Sequence, residues 1–475
     1  MCGLAVVLPA AYFARQNPPS KGREVTKLYA DNCASCHGAD LSGGSASSLV
    51  DNNWRYGGDD ASITNSIRNR HSGAGMPSLQ QTLNDAEIRA LVVYIHERGT
   101  AFQQAHTQYN APAPGAIVRS EKESFKLEPV IETGLKEPWA IAFLPDGRLL
   151  VTERPGRLRL VERGQLLPEP VRGIPAVYGG EGGLLDVMLP PDYGPGHDWI
   201  YLTYGDKSPD GQGMTAVIRG RLRDGALIDQ QIIFKADVGH YRAGGQRFGS
   251  RLLFDGKGHL FFSIGDRAHP GDEQDLSCPN GKVYRVNEDG SIPQDNPFAH
   301  RPGALPGIWT YGHRNPQGLV FSPMTGELWE TEHGPRGGDE LNILYPGHNY
   351  GWPVITYGIN YDGTPITDHT SQEGMDQPIT YWVPSIAASP ITFYTGSRFP
   401  QWKNNLFLGA LAAQELRRLV IDGHSVTHQE ILFKGMGRVR DIVNAPDGYL
   451  YIVLNQPDRI DRLVPGVMTV SAAAK

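Results

Sequence analysis

The apolar rhythm of the chain changes once. Between residues 20 and 100 apolar positions recur at helical spacing; beyond about residue 119 they come in short runs broken by Gly- or Asp-containing turns. Val25, Leu28 and Tyr29 share a face of a helix predicted over 20–33, with Ser20 as its cap. In "NDAEIRALVVYIHERG" (84–99), Ile88, Leu91, Val92 and Ile95 form a stripe. Asn84 and Glu87 have capping-box spacing, and Gly99 predicts the stop. Two helices around a Gly-rich middle predict a small all-α domain over 20–100.

The second part repeats itself. "IAFLPDGRLLVTE" begins at 141, "LDVMLPPDYGPGHDWIYLTYG" at 185 and "LLFDGKGHLFFSIGD" at 252. "LVFSPMTGELWETEHG" follows at 319 and "IVNAPDGYLYIVL" at 442, with a weaker copy over 391–411. Each is a strand, a turn and a second strand, with no helical segment between copies. That recurrence is the mark of a β-propeller. The expected fold is mainly β: a six-bladed propeller over 119–465 behind the small all-α domain. Residues 101–118, rich in Ala, Pro and Gln, are read as a linker, and 466–475 as a tail.

Composition narrows the partners. At 475 residues the chain is too long for one ordinary domain, and 57 Gly with 36 Pro favour turns and short strands. A net charge of −7 offers no basic footprint, so nucleic acid is not an expected partner. Residues 4–13 resemble the apolar core of an export signal without its positively charged start. The run is too short to span a bilayer. Residues 1–19 are therefore read as a signal or anchor remnant, and any membrane anchoring rests on them alone. Cys2 and Cys278 have no near neighbour; Cys278 is expected to be a small buried residue.

The remaining two cysteines carry chemistry. Cys33-Ala34-Ser35-Cys36-His37 is the attachment pattern for c-type haem. Both thiols add to the porphyrin vinyl groups, which holds His37 beneath the iron as an axial ligand. Met76, in "GAGMPSL", is the expected second ligand, with His71 as competitor. A thioether raises the reduction potential relative to a second imidazole, which suits an electron acceptor. The stretch over 20–100 resembles the cytochrome c family.

Three propeller loops are polar enough to hold a cofactor. "YGHRNPQG" (311–318) joins Arg314 and Asn315; "ETEHGPRGGDELN" (330–342) holds His333, Gly334, Pro335, Asp339 and Glu340; "GMGRVRDI" (435–442) alternates Arg438 and Arg440. Arginines converging on a channel suit a small polyanion, and exposed carbonyls at Gly334 and Pro335 suit a hard cation such as calcium. Inter-blade salt bridges are the alternative use of the arginines.

In order along the chain, "GHRNPQG", "EHGPRGGDELN", "HNYGWP" and "GRVRDI" resemble the soluble quinoprotein glucose/aldose sugar dehydrogenase family over roughly 125–465. That resemblance implies a six-bladed propeller binding pyrroloquinoline quinone (PQQ) and calcium and oxidising aldoses. It implies that Arg314 and Asn315 bind PQQ, Arg438 and Arg440 grip its carboxylates, and His333 lines the cofactor. Gly334 and Pro335 match the carbonyls that hold its calcium, Glu340 and the Tyr350 carbonyl a second, structural calcium site. Glu181, in "GGEGGLLD", lies where glucose dehydrogenases present a glutamine.

Two departures stand out. Where the family carries its proton-abstracting histidine, before "FG(G/S)RL", this chain has Arg247, a residue too basic for that role. His240 folding back, Asp266 acting instead, or Arg247 supplying charge alone are the alternatives. Ala412 stands where glucose dehydrogenases place a lysine on PQQ, with Arg417 as a neighbouring substitute. The expected activity is oxidation of an aldose or related alcohol by hydride transfer to PQQ, with electrons leaving through covalent haem c. The expected final acceptor is another cytochrome in the bacterial periplasm. A binding scaffold with an electron-transfer haem, or a calcium-dependent propeller hydrolase or lactonase, are the readings from other classes.

Overall fold

The computed structural model describes residues 21–69, 75–106 and 111–466. Its first part is helical: α1 (Val25–Asn32), α2 (Ala34–His37), α3 (Asp60–Arg68) and α4 (Asp85–His106). Glu24, not Ser20, caps α1: its carboxylate accepts the Thr26 and Lys27 N–H groups. Ser20 itself lies outside the described residues. The predicted capping box of α4 is present. Asn84 Oδ1 accepts the Glu87 N–H at 2.9 Å and Glu87 Oε2 the Asn84 N–H at 3.2 Å. The helix does not stop at Gly99; it runs on to His106. Phe102 packs against the α-domain core, so the apolar stripe continues one helical repeat past the glycine.

The remainder forms six sheets, one per blade. Blade 1 spans Pro138–Leu166, blade 2 Leu184–Phe234, blade 3 Leu252–Tyr311, blade 4 Pro316–Trp382 and blade 5 Ala388–Lys434. Blade 6 takes three strands from Arg438–Pro465 and closes with Ser124–Ile131, which pairs antiparallel with Arg459–Pro465. The ends of the propeller are thus hydrogen-bonded into one sheet, leaving no free edge at the closure. Every repeat seen in the sequence is the inner pair of strands of a blade.

Apolar clusters lie between neighbouring blades. Leu150, Leu185 and Leu202 join blades 1 and 2, and Phe261, Val283, Leu319 and Leu328 join blades 3 and 4. On the axis, a cavity of about 410 Å³ is lined by residues of all six blades, among them Ile141, Asp186, Leu252, Leu319, Ile391 and Asp441, with Arg251 just before blade 3. Arg251 Nη1 lies 2.9 Å from Asp441 and 3.6 Å from Asp186, all three buried. This central ion triad ties blades 2, 3 and 6 together.

Candidate functional site

The cofactor-type residues converge at one mouth of the channel. The "HRN" loop enters blade 4: Glu332 Oε2 accepts the Arg314 N–H at 2.5 Å, and Asn315 Oδ1 accepts the Gly249 N–H at 3.0 Å. Arg314 Nη1 donates to the carbonyls of His333 (2.8 Å) and Gly334 (2.7 Å), while its Nη2 reaches the Tyr361 hydroxyl at 3.3 Å. Its buried Nε has no hydrogen-bond partner among the described residues. Asp339 anchors the Gly334 N–H at 2.8 Å and the Ile386 N–H at 2.8 Å. The Gly334 carbonyl keeps one lone pair beyond its bond to Arg314, and the Pro335 carbonyl accepts no hydrogen bond among the described residues.

Arg438 and Arg440 stand at the start of blade 6. Arg438 makes no side-chain hydrogen bond or ion pair among the described residues. Arg440 has only long bonds, to Asn455 (3.4 Å) and Gln317 (3.3 Å). Burial, with Arg438 and Arg154 nearby, pulls the Arg440 guanidinium down to about 9. Its weakly compensated charge is what an anion would relieve. His333 has a buried Nε2 without a partner among the described residues, and burial together with Arg440, Arg314 and Arg438 holds the ring well below the usual histidine range. A neutral imidazole among three guanidinium groups fits the edge of a polyanionic ligand.

Arg247 is set by two acids. Glu181 Oε2 accepts its backbone N–H at 2.8 Å, and Asp266 Oδ2 pairs with its Nη1 at 2.8 Å. Their side chains are 8% and 2% exposed. Asp266 also accepts the Trp352 indole N–H at 2.9 Å and the Ala268 N–H at 2.7 Å, so three donors already occupy it. Arg267 stitches the preceding loop down through the carbonyls of Gly244 and Gln246, its guanidinium 3.6 Å from the Phe248 ring centroid. His240 does not fold back. It lies on the short turn Val238–His240 beside the exposed Asp275, and no hydrogen bond or ion pair joins it to Arg247, Asp266 or Arg314. The intervening residues pair back onto blade 2 through the Gly213–Arg242 bridge. Arg417 does not replace the missing lysine either. It is bound to Glu415 and to Gln429, and it faces α4.

A second cluster sits beneath. Glu330 and Glu332 alternate on one strand, and Glu332 pairs in register with Glu340, Glu330 with Asn342. His313 Nδ1 lies 3.1 Å from Glu332, and Tyr350 stacks on His313 at 4.8 Å. Burial, with Glu332 adjacent, pushes Glu330 and Glu340 well above the usual carboxylate range, and among the described residues Glu330 Oε1 has no partner. Buried carboxylates in this density call for a cation. Among the described residues, His313, Glu330 and Glu332 meet a metal-ligand spacing. From the sequence only Glu340 and Tyr350 had been placed here; the E-x-E alternation in "WETEH" was the unused signal.

In the α-domain, His37 Nδ1 faces the Ser47 carbonyl at 2.8 Å, and Nε2 has no hydrogen bond among the described residues. Cys33 is half-buried and Cys36 exposed. Met76 is half-buried against the same apolar cluster as Cys33 and Trp54. His71 lies outside the described residues, as does Cys2. Cys278 is buried, as expected.

A closed six-bladed propeller with a cation-rich mouth, joined to an α-domain bearing the haem-attachment motif, defines a propeller dehydrogenase with a cytochrome domain. The chain belongs to the Glucose / Sorbosone dehydrogenase family, whose profile matches residues 135–462. The profile described as "Cytochrome C oxidase, cbb3-type, subunit III" matches residues 20–95. The chain is 42% identical over 334 residues to the aldose sugar dehydrogenase YliI of Escherichia coli, covering 69% of this chain and 89% of that one. The structure of the apo-form soluble aldose sugar dehydrogenase of E. coli superimposes with a TM-score of 0.67 at 39% identity, over 72% of this chain and all of that one. The PQQ-bound aldose sugar dehydrogenase of Streptomyces coelicolor does so with 0.58 at 26%, over 75% and 99%.

Proposed function

We propose that the protein oxidises an aldose or related alcohol with PQQ held at the propeller mouth and delivers the electrons to haem c in its own α-domain. The observation that carries this is the set of weakly compensated cations, Arg438 without a side-chain partner among the described residues and Arg440 with only long ones, in a chain of the sugar dehydrogenase family. Arg438 and Arg440 would hold the carboxylates of PQQ. Asn315 and His333 would line it, and the Gly334 and Pro335 carbonyls would hold its calcium. When bound, PQQ supplies a hydride acceptor, and calcium polarises its carbonyl. Arg314 is preset for the same carbonyl by the His333 and Gly334 oxygens. A second calcium would be held by Glu330, Glu332 and Glu340, with Tyr350 alongside.

The substrate hydroxyl must also lose a proton. Of the three alternatives, His240 has no hydrogen bond or ion pair to Arg247 or Asp266. Arg247 contributes charge, and Asp266 is the carboxylate that pairs with its guanidinium. With three donors on its oxygens, Asp266 is a weak acceptor, which predicts slow turnover. Cys33, Cys36, His37 and Met76 would hold haem c, which would supply one-electron transfer. Haem c is attached outside the bacterial cytoplasm, so this reading puts the protein in the periplasm, with a second cytochrome c as acceptor. No helix among the described residues is long and apolar enough to cross a membrane.

The test is spectroscopic. PQQ and calcium are added without air to the oxidised haem protein, then a panel of aldoses and secondary alcohols, following the reduced-haem α band. Reduction that requires PQQ and one substrate class is the expected result. Failure of PQQ to bind would overturn the proposal.

A further inference from the structure

We infer that the cytochrome domain is docked on blade 4 in one fixed orientation, latched by Arg336 and Glu97, rather than carried as a tethered shuttle. The inference goes beyond the proposed reaction; only its second readout rests on that reading.

The seat is built from both sides. Arg336 follows Pro335 directly and is fixed by reciprocal backbone hydrogen bonds with Ile359, 3.1 and 3.0 Å. Its side chain then crosses to α4, where Nε lies 2.9 Å from both Glu97 oxygens and Nη2 at 2.8 Å. Two parallel N–H donors on one carboxylate give orientation as well as attraction. Ile359, a propeller residue, is fully buried within the apolar cluster of the cytochrome domain, among residues such as Val25, Leu28 and Val92. A propeller side chain inside the other domain's core is not the geometry of a loose tether.

Backbone pairing continues the seat. The Val25 N–H donates to the Gly363 carbonyl at 3.0 Å and the Lys21 N–H to the Pro365 carbonyl at 2.9 Å. Gly363 has φ +82°, and a Cβ there would stand 2.6 Å from Glu24 Oε1. The left-handed φ is what favours glycine at this contact. On the far side of the contact, the Tyr381 hydroxyl donates to Asp60 at 2.9 Å. The same loop presents Tyr361 to Arg314, so the dock stands on the shoulder of the candidate cofactor site.

The test uses the full-length, haem-loaded chain in a Cys2→Ser background, with nitroxides on exposed Asp31→Cys in α1 and Lys257→Cys in blade 3. Pulsed electron–electron distance measurements are made on the reduced, diamagnetic haem. A single narrow distance is expected, unchanged at high salt because the dock is apolar and backbone-paired as well as ionic. Glu97→Lys is expected to broaden it, and the charge swap Glu97→Arg with Arg336→Glu to restore it. Unaltered haem absorbance in Glu97→Lys reports that the domain itself is intact. A broad distribution in the parent, or a narrow one retained in Glu97→Lys, would overturn the inference. In the PQQ-loaded protein, Glu97→Lys should slow haem reduction by sugar about tenfold, ~1.4 kcal/mol of lost docking, with dye-coupled oxidation unchanged. If the loaded parent oxidises no sugar, the proposed reaction fails while the distance result still decides the dock.

Discussion

Arg247→His is the substitution that bears most directly on turnover. It returns an imidazole to the position where the family resemblance places its base. The pair it breaks is short and dry: 2.8 Å between Arg247 and Asp266, with 8% and 2% of the side chains exposed. Removing one partner of a buried ion pair costs about 3–5 kcal/mol when the other is stranded. Asp266 is not stranded, because Trp352 and the Ala268 N–H still donate to it and the imidazole can as well. The expected loss of stability is therefore about 1–3 kcal/mol. Against this, a well-placed general base contributes roughly 10²–10⁴ in rate, about 2.7–5.4 kcal/mol of barrier at 1.36 kcal/mol per decade. Asp266 within reach favours the protonated ring and lifts it above the ordinary value of about 6.5. Only the neutral imidazole accepts a proton, so the gain should grow as pH rises through 7 and beyond. The assay is the initial rate of dye reduction with saturating aldose, PQQ and calcium from pH 5.5 to 9, beside a thermal melt. A variant that binds PQQ as the parent does yet gains no rate at any pH would show that the proton is not taken at position 247.

The remaining expectations are simpler. Burial, with Asp441 adjacent, holds Asp186 up to about 7. The folded chain then keeps a proton that the unfolded chain loses near 4. Stability from this group is complete below pH 4 and is lost as pH rises toward 7, about 1.4 kcal/mol per unit. Asp186→Asn should flatten that slope in urea titrations. Chelation should lower the melting temperature by exposing the repulsion among Glu330, Glu332 and Glu340; calcium at a hundredfold over its Kd should return about 2.7 kcal/mol, and Glu330→Gln should shrink the difference. Met76→His should lower the haem potential by a part of the roughly 0.8 V that axial ligands span, read by redox titration; an unchanged potential would remove Met76 from the iron.

The parts legible in the sequence were those carried by local pattern. Each inner strand pair announced itself by a turn between apolar runs, because the inner strands are buried on both faces and tolerate little else. The outer strands did not, since segments such as Ala226–Phe234 are largely exposed and polar on one face. Gly99 misled the helix boundary because propensity is weak beside packing, and Phe102 had a core to reach. His240 was named by proximity in sequence to Arg247. The loop between them is pinned to blade 2 and by Arg267, a constraint no spacing reveals.

The acidic cluster and the dock show two different limits. Glu330 and Glu332 at i and i+2, with Glu340 nearby, were visible as letters, and strand periodicity alone puts the first two on one face. What was missing was the register that lays Glu340 against Glu332. The dock was not readable in principle. Glu97 and Arg336 are separated by 239 positions, and Ile359 reads as an ordinary propeller apolar residue. Its burial in the other domain follows only from the fold. Pro335 and Arg336 are adjacent, so one short segment faces the candidate cation with its carbonyl and the cytochrome domain with its side chain. The backbone bonds between Arg336 and Ile359 hold that segment independently of Glu97, so breaking the ion pair is expected to free the cytochrome domain while leaving the Pro335 carbonyl in place.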